Sequence, residues 1–286
     1  MEVRVYMANL LTDTGRAEQA VPLMRDVLAQ NPGYAEAHWE LGYAYRFGGM
    51  LREAAIESEN ARQNNPSVKI NSSAMNAYLY LGEYDKFMQS LPSSNSVYVL
   101  FYHGFGEYHL GHLAQATRDF DRAYELEPAL LPANVGKALS YAIRGDTAKG
   151  RAILQSTESQ IVERGVGDAE SLCKVAQAHA VLGDRASAIL MLHRTIEGGF
   201  FPYPYFERDP LLNNIRKEPE FEMLMKERAK GTSDLGSSSF SAPARALTAA
   251  QYSLPPYHTA RLQRFCKKSQ KNLASVEFSR NLTTAN

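Results

Sequence analysis

His103, Glu107, His109 and His112 lie close together in the run His103-Gly104-Phe105-Gly106-Glu107-Tyr108-His109-Leu110-Gly111-His112. His103 and Glu107 are four apart and His109 and His112 three apart, spacings at which a helix brings side chains to one face. Paired helical histidines suit zinc. A zinc centre also needs a complete ligand set and groups that orient the ligands. Both Gly104 and Gly111 have another explanation, given below, and His103 occupies a position that faces a partner helix. The expectation is therefore packed or solvated histidines and no metal. Gly104-x-Gly106 does not lead from a strand into a helix, so it is no dinucleotide loop. The sequence contains no Gly-x-Ser-x-Gly elbow, phosphate-loop lysine, Cys-x-x-Cys pair or kinase motif set. Cys173 and Cys266 are too few and too far apart for a disulfide framework. A non-enzymatic chain is expected, with no catalytic residue and no cofactor.

Charge excludes further classes. The 286 residues carry 31 Lys and Arg against 31 Asp and Glu, so no net field draws the chain to nucleic acid. The balance is uneven along the chain. Residues 231–286 hold four Arg, three Lys, one Asp and one Glu, a net of +5, which leaves −5 on residues 1–230. The start, MEVRVYMANLLTD, has no secretory pattern. No stretch approaches the roughly 20 apolar residues of a membrane span. A cytoplasmic chain without a membrane span is expected.

The elements that would position any site follow from a repeat. Gly15, Gly49, Gly82, Gly111, Gly145 and Gly183 recur at intervals of roughly 34 residues. Five residues after each comes a small or packing residue: Ala20, Ala54, Phe87, Ala116, Gly150 and Ala188. Ala8 precedes Gly15 by seven, as Gly42 precedes Gly49 and Gly104 precedes Gly111. Small residues at these places let two antiparallel helices approach closely. Each glycine is expected to end the first helix in a left-handed conformation, where a Cβ is costly. Pro32, Pro66 and Pro128 then follow the second helices.

This pattern resembles the tetratricopeptide (TPR) repeat, W-x2-L-G-x2-Y, then A-x3-F, then P. Leu41, Gly42, Tyr45, Ala54, Ala61 and Pro66 carry it in the second unit, and Gly104, Gly111, Ala116, Phe120, Ala123 and Pro128 in the fourth. The fifth keeps Ala138, Tyr141 and Gly145; the sixth keeps Ala176, Gly183, Ala188 and Leu192. The third departs most, with Met75 and Phe87 in place of small residues and Pro92 only ten after Gly82. Its second helix should be short. The resemblance implies an all-α, right-handed solenoid of five to six hairpins over 1–196, in units of about 1–34, 35–67, 68–96, 97–130, 131–165 and 169–196. Residues 197–230 look like the terminal module of bacterial TPR arrays, with Asp209-Pro210 and Glu218-Pro219 each opening a helix. Tyr203, Tyr205 and Phe206 are expected in capping contacts with the last hairpin. Met1 lies in or beside the first helix with no capping side chain before it, which suggests that the array once continued upstream. Residues 231–286, with nine serines and a Pro-Pro pair, are expected to form a disordered basic tail.

Function then rests on the inner face, lined by the first helix of each unit. Helical spacing puts Tyr6 and Asn9 there, then Trp39, Tyr43, Arg46 and Phe47, then Tyr80, and finally Tyr98, Phe101, Phe105 and Tyr108. About half of these would fill hairpin interiors instead, and the spacing leaves both readings open for Phe47 and for Tyr102. Aromatic anchors in a groove suit an extended peptide or a helix of a protein partner. TPR domains that hold chaperone C-termini use a clamp of Lys, Asn and Arg. Only Asn9 matches it here, with Val5, Tyr43 and Ser72 at other clamp positions, so no chaperone co-factor is expected. The first expectation is an interaction scaffold. The alternative that the resemblance implies is the truncated regulatory half of a bacterial serine/threonine kinase, adenylate cyclase or winged-helix regulator.

Overall fold

The computed structural model describes residues 1–66, 76–164 and 168–226. Ser72, Met75, Cys266 and the expected tail 231–286 lie outside them. Two compact units divide the chain, Met1–Ser159 with Gly167–Ala244, and Gln160–Val166 with Arg245–Asn286. Of the second, only residues 160–164 are described.

The described residues are helical, without a strand. Successive hairpins pair α1 (Glu2–Asp13) with α2 (Ala17–Gln30), α3 (Ala35–Phe47) with α4 (Leu51–Asn64), and α5 (Asn76–Leu81) with α6 (Tyr84–Ser90). They continue as α7 (Val97–His109) with α8 (Leu113–Leu126), α9 (Leu131–Ile143) with α10 (Thr147–Arg164), and α11 (Ala169–Val181) with α12 (Arg185–Glu197). Two short helices follow, α13 (Tyr203–Arg208) and α14 (residues 219–226), with a 3-10 turn at Pro210–Leu212 between them. Each of α2, α4, α6 and α8 packs on the first helix of its own hairpin and on the next one, while α1 adjoins α3 and α7 and α11 flank α9.

One local motif ends every first helix. Gly15, Gly49, Gly82, Gly111, Gly145 and Gly183 all have φ between +73° and +81°. The amide after each glycine donates to the carbonyl five residues back, from Arg16 to Leu11 at 2.8 Å and from Met50 to Tyr45, His112 to Glu107 and Asp184 to His179 at 2.9 Å. This satisfies a carbonyl that the end of a helix leaves free. The glycine turn therefore reverses the chain at the same place in each hairpin. The end of α12 copies it, with Gly199 at φ +86° and Phe200 donating to the Thr195 carbonyl.

Hairpin interiors are closely packed. A Cβ on Gly104 or Gly136 would come within 2.7 Å and 2.9 Å of the Phe120 ring, which fills the space that both glycines leave. In the third hairpin α6 is only seven residues long, as Pro92 requires. At the end, Asp209 caps the 3-10 turn by accepting from the Leu211 amide at 3.0 Å, with Pro210 in the first position. Residues 198–203 do more than cover the last hairpin. They run along the turns of the first two, and the Phe201 amide donates to the Phe47 carbonyl at 3.2 Å.

Gly111 and Gly199 separate backbone strain from crowding. Gly111 has no neighbour within 4 Å of a Cβ, whereas a Cβ on Gly199 would overlap the Gly15 backbone. Gly111→Ala should cost about 1 kcal/mol for the left-handed backbone, and Gly199→Ala about 3 kcal/mol with overpacking added. Urea unfolding of the two variants measures the difference; equal losses would show that 198–203 does not rest on the first turn.

Candidate functional site

The densest polar constellation lies on α11, the first helix of the sixth hairpin. Glu170, Lys174 and Gln177 follow at helical spacing, so they share one face, and all three are buried. Asp168 caps this helix by accepting from the Glu170 amide at 3.1 Å. That places Glu170 in the first turn, against side chains from α3 and α5. Its carboxylate accepts from the Arg46 guanidinium at 2.8 Å, from the Asn76 amide at 2.8 Å and from the Tyr80 hydroxyl. Arg46 also lies over the Tyr43 ring, 5.0 Å from its centre.

One turn further along α11, Lys174 is 2% exposed and its ammonium has no hydrogen-bond partner among the described residues. It sits over three rings instead, 4.6 Å from the centre of Tyr80, 4.9 Å from Phe105 and 5.5 Å from Tyr205. Such cation–π contacts strengthen when water is excluded. Gln177 donates from Nε2 to the Tyr205 hydroxyl at 2.6 Å and to the Asp209 carboxylate, tying α11 to the C-terminal segment.

Burial sets the protonation states, and neighbouring charge corrects them. Burial alone would raise the Glu170 carboxyl. The Arg46 and Lys174 cations, with the Tyr80 and Asn76 donors, outweigh it and hold Glu170 below the ordinary carboxylate value. Burial lowers the Lys174 ammonium despite Cys173, Glu170 and Asp209 nearby. His109 is pushed down to about 3 by burial and then by Lys174, so it is neutral at physiological pH. Burial pushes the Cys173 thiol up to about 12, which leaves it unreactive at neutral pH. Asp168 rises to about 6 through burial and then the Glu170 charge.

The expected inner-face residues divide into two groups. Arg46, Phe47, Tyr80, Phe101 and Phe105 are buried, together with Tyr102. Phe47 meets Phe200 edge to face at 5.1 Å, Tyr80 meets Tyr205 at 4.5 Å, and Phe101 packs on Phe120 inside its own hairpin. Asn9 is also buried, donating to Glu40 at 3.3 Å. The second group keeps surface. Tyr98 is 50% exposed, and Tyr6, Trp39, Tyr43 and Tyr108 are half-buried. Trp39 stacks on Tyr43 at 5.6 Å, and the Tyr43 hydroxyl donates to Asp13 at 2.7 Å. Part of the expected groove is thus covered by the chain itself, because α11 and residues 200–209 pack across the C-terminal ends of α3, α5 and α7. Tyr205 and Phe206 are buried in that cover, while Tyr203 is only partly so.

The histidine run disperses. His103 pairs with Asp119 at 2.8 Å, His112 pairs with Glu107 at 2.7 Å, and His109 stacks flat on Tyr84 at 4.9 Å. Among the described residues no three His, Cys, Asp or Glu side chains are grouped to hold a metal ion. No described helix is long and apolar enough to cross a membrane.

Glu170, Lys174, Asn76 and Gln177 were not anticipated. The available signal was charge at spacing four in ESLCKVAQAHA, a first helix whose other buried positions are Ala, Leu, Val, Cys173 and His179.

No protein-family model matches the chain, and no curated protein matches it. Solved structures do. The Cut9–Hcn1 hetero-tetramer of the APC/C aligns with 82% of this chain and 48% of its own, at 13% identity and a TM-score of 0.54. The chain has a TPR-like helical-repeat fold. Two other TPR-like neighbours align less closely. A tetratricopeptide repeat protein from Parabacteroides merdae covers 83% of this chain and 94% of its own, at 18% identity and a TM-score of 0.44. MamA from Desulfovibrio magneticus covers 57% and 95%, at 13% and 0.45. In this array Glu170 and Lys174 stand on the first helix of the sixth hairpin, against Arg46, Tyr80 and Phe105 from first helices before it.

The raised Asp168 carboxyl gives a pH test. The folded chain holds its proton between about pH 4 and 6, where the unfolded chain has lost it, so this group's contribution to stability falls as pH rises through that window. Lowering the pH from 7 to 5 should therefore stabilise the wild type relative to Asp168→Asn by about 1–2 kcal/mol. Asn preserves the helix cap. Denaturant midpoints at both pH values decide it, and parallel curves would mean that Asp168 titrates as a surface carboxylate.

Proposed function

We propose that the chain is a non-enzymatic scaffold that holds a peptide or helix of a protein partner on the inner face of its repeat array. The observation that carries this is the stacked Trp39–Tyr43 pair, half-buried on α3 just beyond the part of the inner face that the chain covers itself. Rigid, partly exposed aromatic residues are the usual anchors of protein interfaces, and the TPR-like fold supports the same reading. Tyr6 from α1 and Tyr98 from α7 extend the anchor set; Asn9, Arg46, Phe47, Tyr80, Phe101 and Phe105 support it from within. Tyr108, against His109, lies near the opposite end of α7. No observation favours a regulatory half of a larger enzyme over a scaffold.

Benzoylphenylalanine placed at Trp39 or Tyr98 should cross-link in cells to one discrete partner, and the same probe at Ile56 on α4 should not. Equal adducts from all three positions would remove the inner face as the binding surface. Trp39→Ala should abolish capture with little change in helicity. Phe105→Ala should instead cost about 3–5 kcal/mol of stability, because it leaves a cavity between α7 and Lys174. Circular dichroism melts of the two variants separate anchor from core.

A further inference from the structure

We infer that residues 200–216 are a built-in ligand of the inner face, and that the surface they cover takes in trans a partner segment of the same chemistry: aromatic residues around proline, followed by arginine. This rests on the scaffold reading above and names the partner class for it.

The segment is held as a bound peptide would be, by side chains in ring-lined places and by a few backbone bonds. Phe200 meets both Phe47 at 5.1 Å and Tyr80 at 5.6 Å, and Tyr205 lies on Tyr80. Phe201 donates its amide to the Phe47 carbonyl, and the Arg208 guanidinium donates to the Tyr80 carbonyl. Pro202 and Pro204 stiffen the chain between these anchors. Gly198 and Gly199 join the segment to α12, and paired glycines make a ready pivot.

The cover encloses polar groups as well as rings. Asn76 Oδ1, both ring nitrogens of His109, Lys174 Nζ and Gln177 Oε1 are enclosed without a hydrogen-bond partner among the described residues. All of them belong to the surface where α11 and the C-terminal segment meet α5 and α7. Hairpin interiors, by contrast, are built from Ala8, Ala20, Ala54, Ala116, Phe120 and Ala123. Closing this surface strips water from a cation, an imidazole and two amides, a cost that contacts between alanine and ring carbons do not carry. Lifting 200–216 rehydrates them; a partner segment of the same pattern replaces the apolar contacts.

Hydrogen exchange on the full chain tests the opening. Amides of 200–212 should exchange together, about tenfold faster or more than those of α7 and α8. Phe200→Ala removes the ring contacts with Phe47 and Tyr80 and leaves the charges in place, so it should speed that exchange by about tenfold. A labelled synthetic peptide spanning residues 199–217 should bind the wild type saturably and the Phe200→Ala variant more tightly. Exchange of 200–212 in step with α7 and α8, unchanged or slower exchange in the variant, or no saturable peptide binding would each overturn the inference. Peptide failure with specific adducts at Trp39 overturns only the built-in ligand. Peptide binding without such adducts overturns the scaffold reading alone.

Discussion

A carboxylate enters a protein interior only when donors replace the water it loses, and Glu170 obtains them from helices that precede it by about a hundred residues. Arg46, Asn76 and Tyr80 converge on it from α3 and α5. Removing any cationic partner from such a site would leave an uncompensated buried charge, which is far more costly than loss of a surface ion pair. The pairing therefore fixes where α11 lies against the second and third hairpins. Lys174, Gln177 and the segment from Phe200 to Asp209 are positioned in turn by that placement.

Two kinds of interface result. Within and between neighbouring hairpins the surfaces are apolar and close-fitting, with small residues opposite large rings, as at Gly104, Gly136 and Phe120. Where the array meets its own C-terminal segment, the surface combines rings with enclosed charges and unpartnered polar atoms. The first kind gains from burial alone. The second gains specificity of place while giving up part of that stabilisation. An interaction protein can use both, with a stiff array for presentation and a more labile surface for exchange.

Exposure follows the same division along single helices. On α3 the aromatic residues step by four: Phe47 is enclosed by Phe200, Tyr43 is half-buried, and Trp39 at the far end stays partly open. On α7, Tyr98 is exposed whereas Phe105 lies under Lys174. One periodic pattern thus supplies core at one end of a helix and accessible anchors at the other.

The sequence by itself determined what is local. A left-handed backbone is costly for every residue but glycine, so the six glycines set the hairpin turns, and Pro92 limited α6 to two turns of helix. Asp209-Pro210 marked its cap for the same reason, since an acceptor side chain and a missing amide act within a few residues. The aromatic residues of the first helices were legible as a set through their helical spacing. Tertiary structure alone decided which of them remain accessible, because the side chains covering Phe47, Tyr80 and Phe105 come from α11 and from residues 200–205, far along the chain. The charges of α11 were visible as residues, but their role was not. A buried ion pair is defined by two partners brought together in space, and no periodicity in the chain connects Arg46 to Glu170.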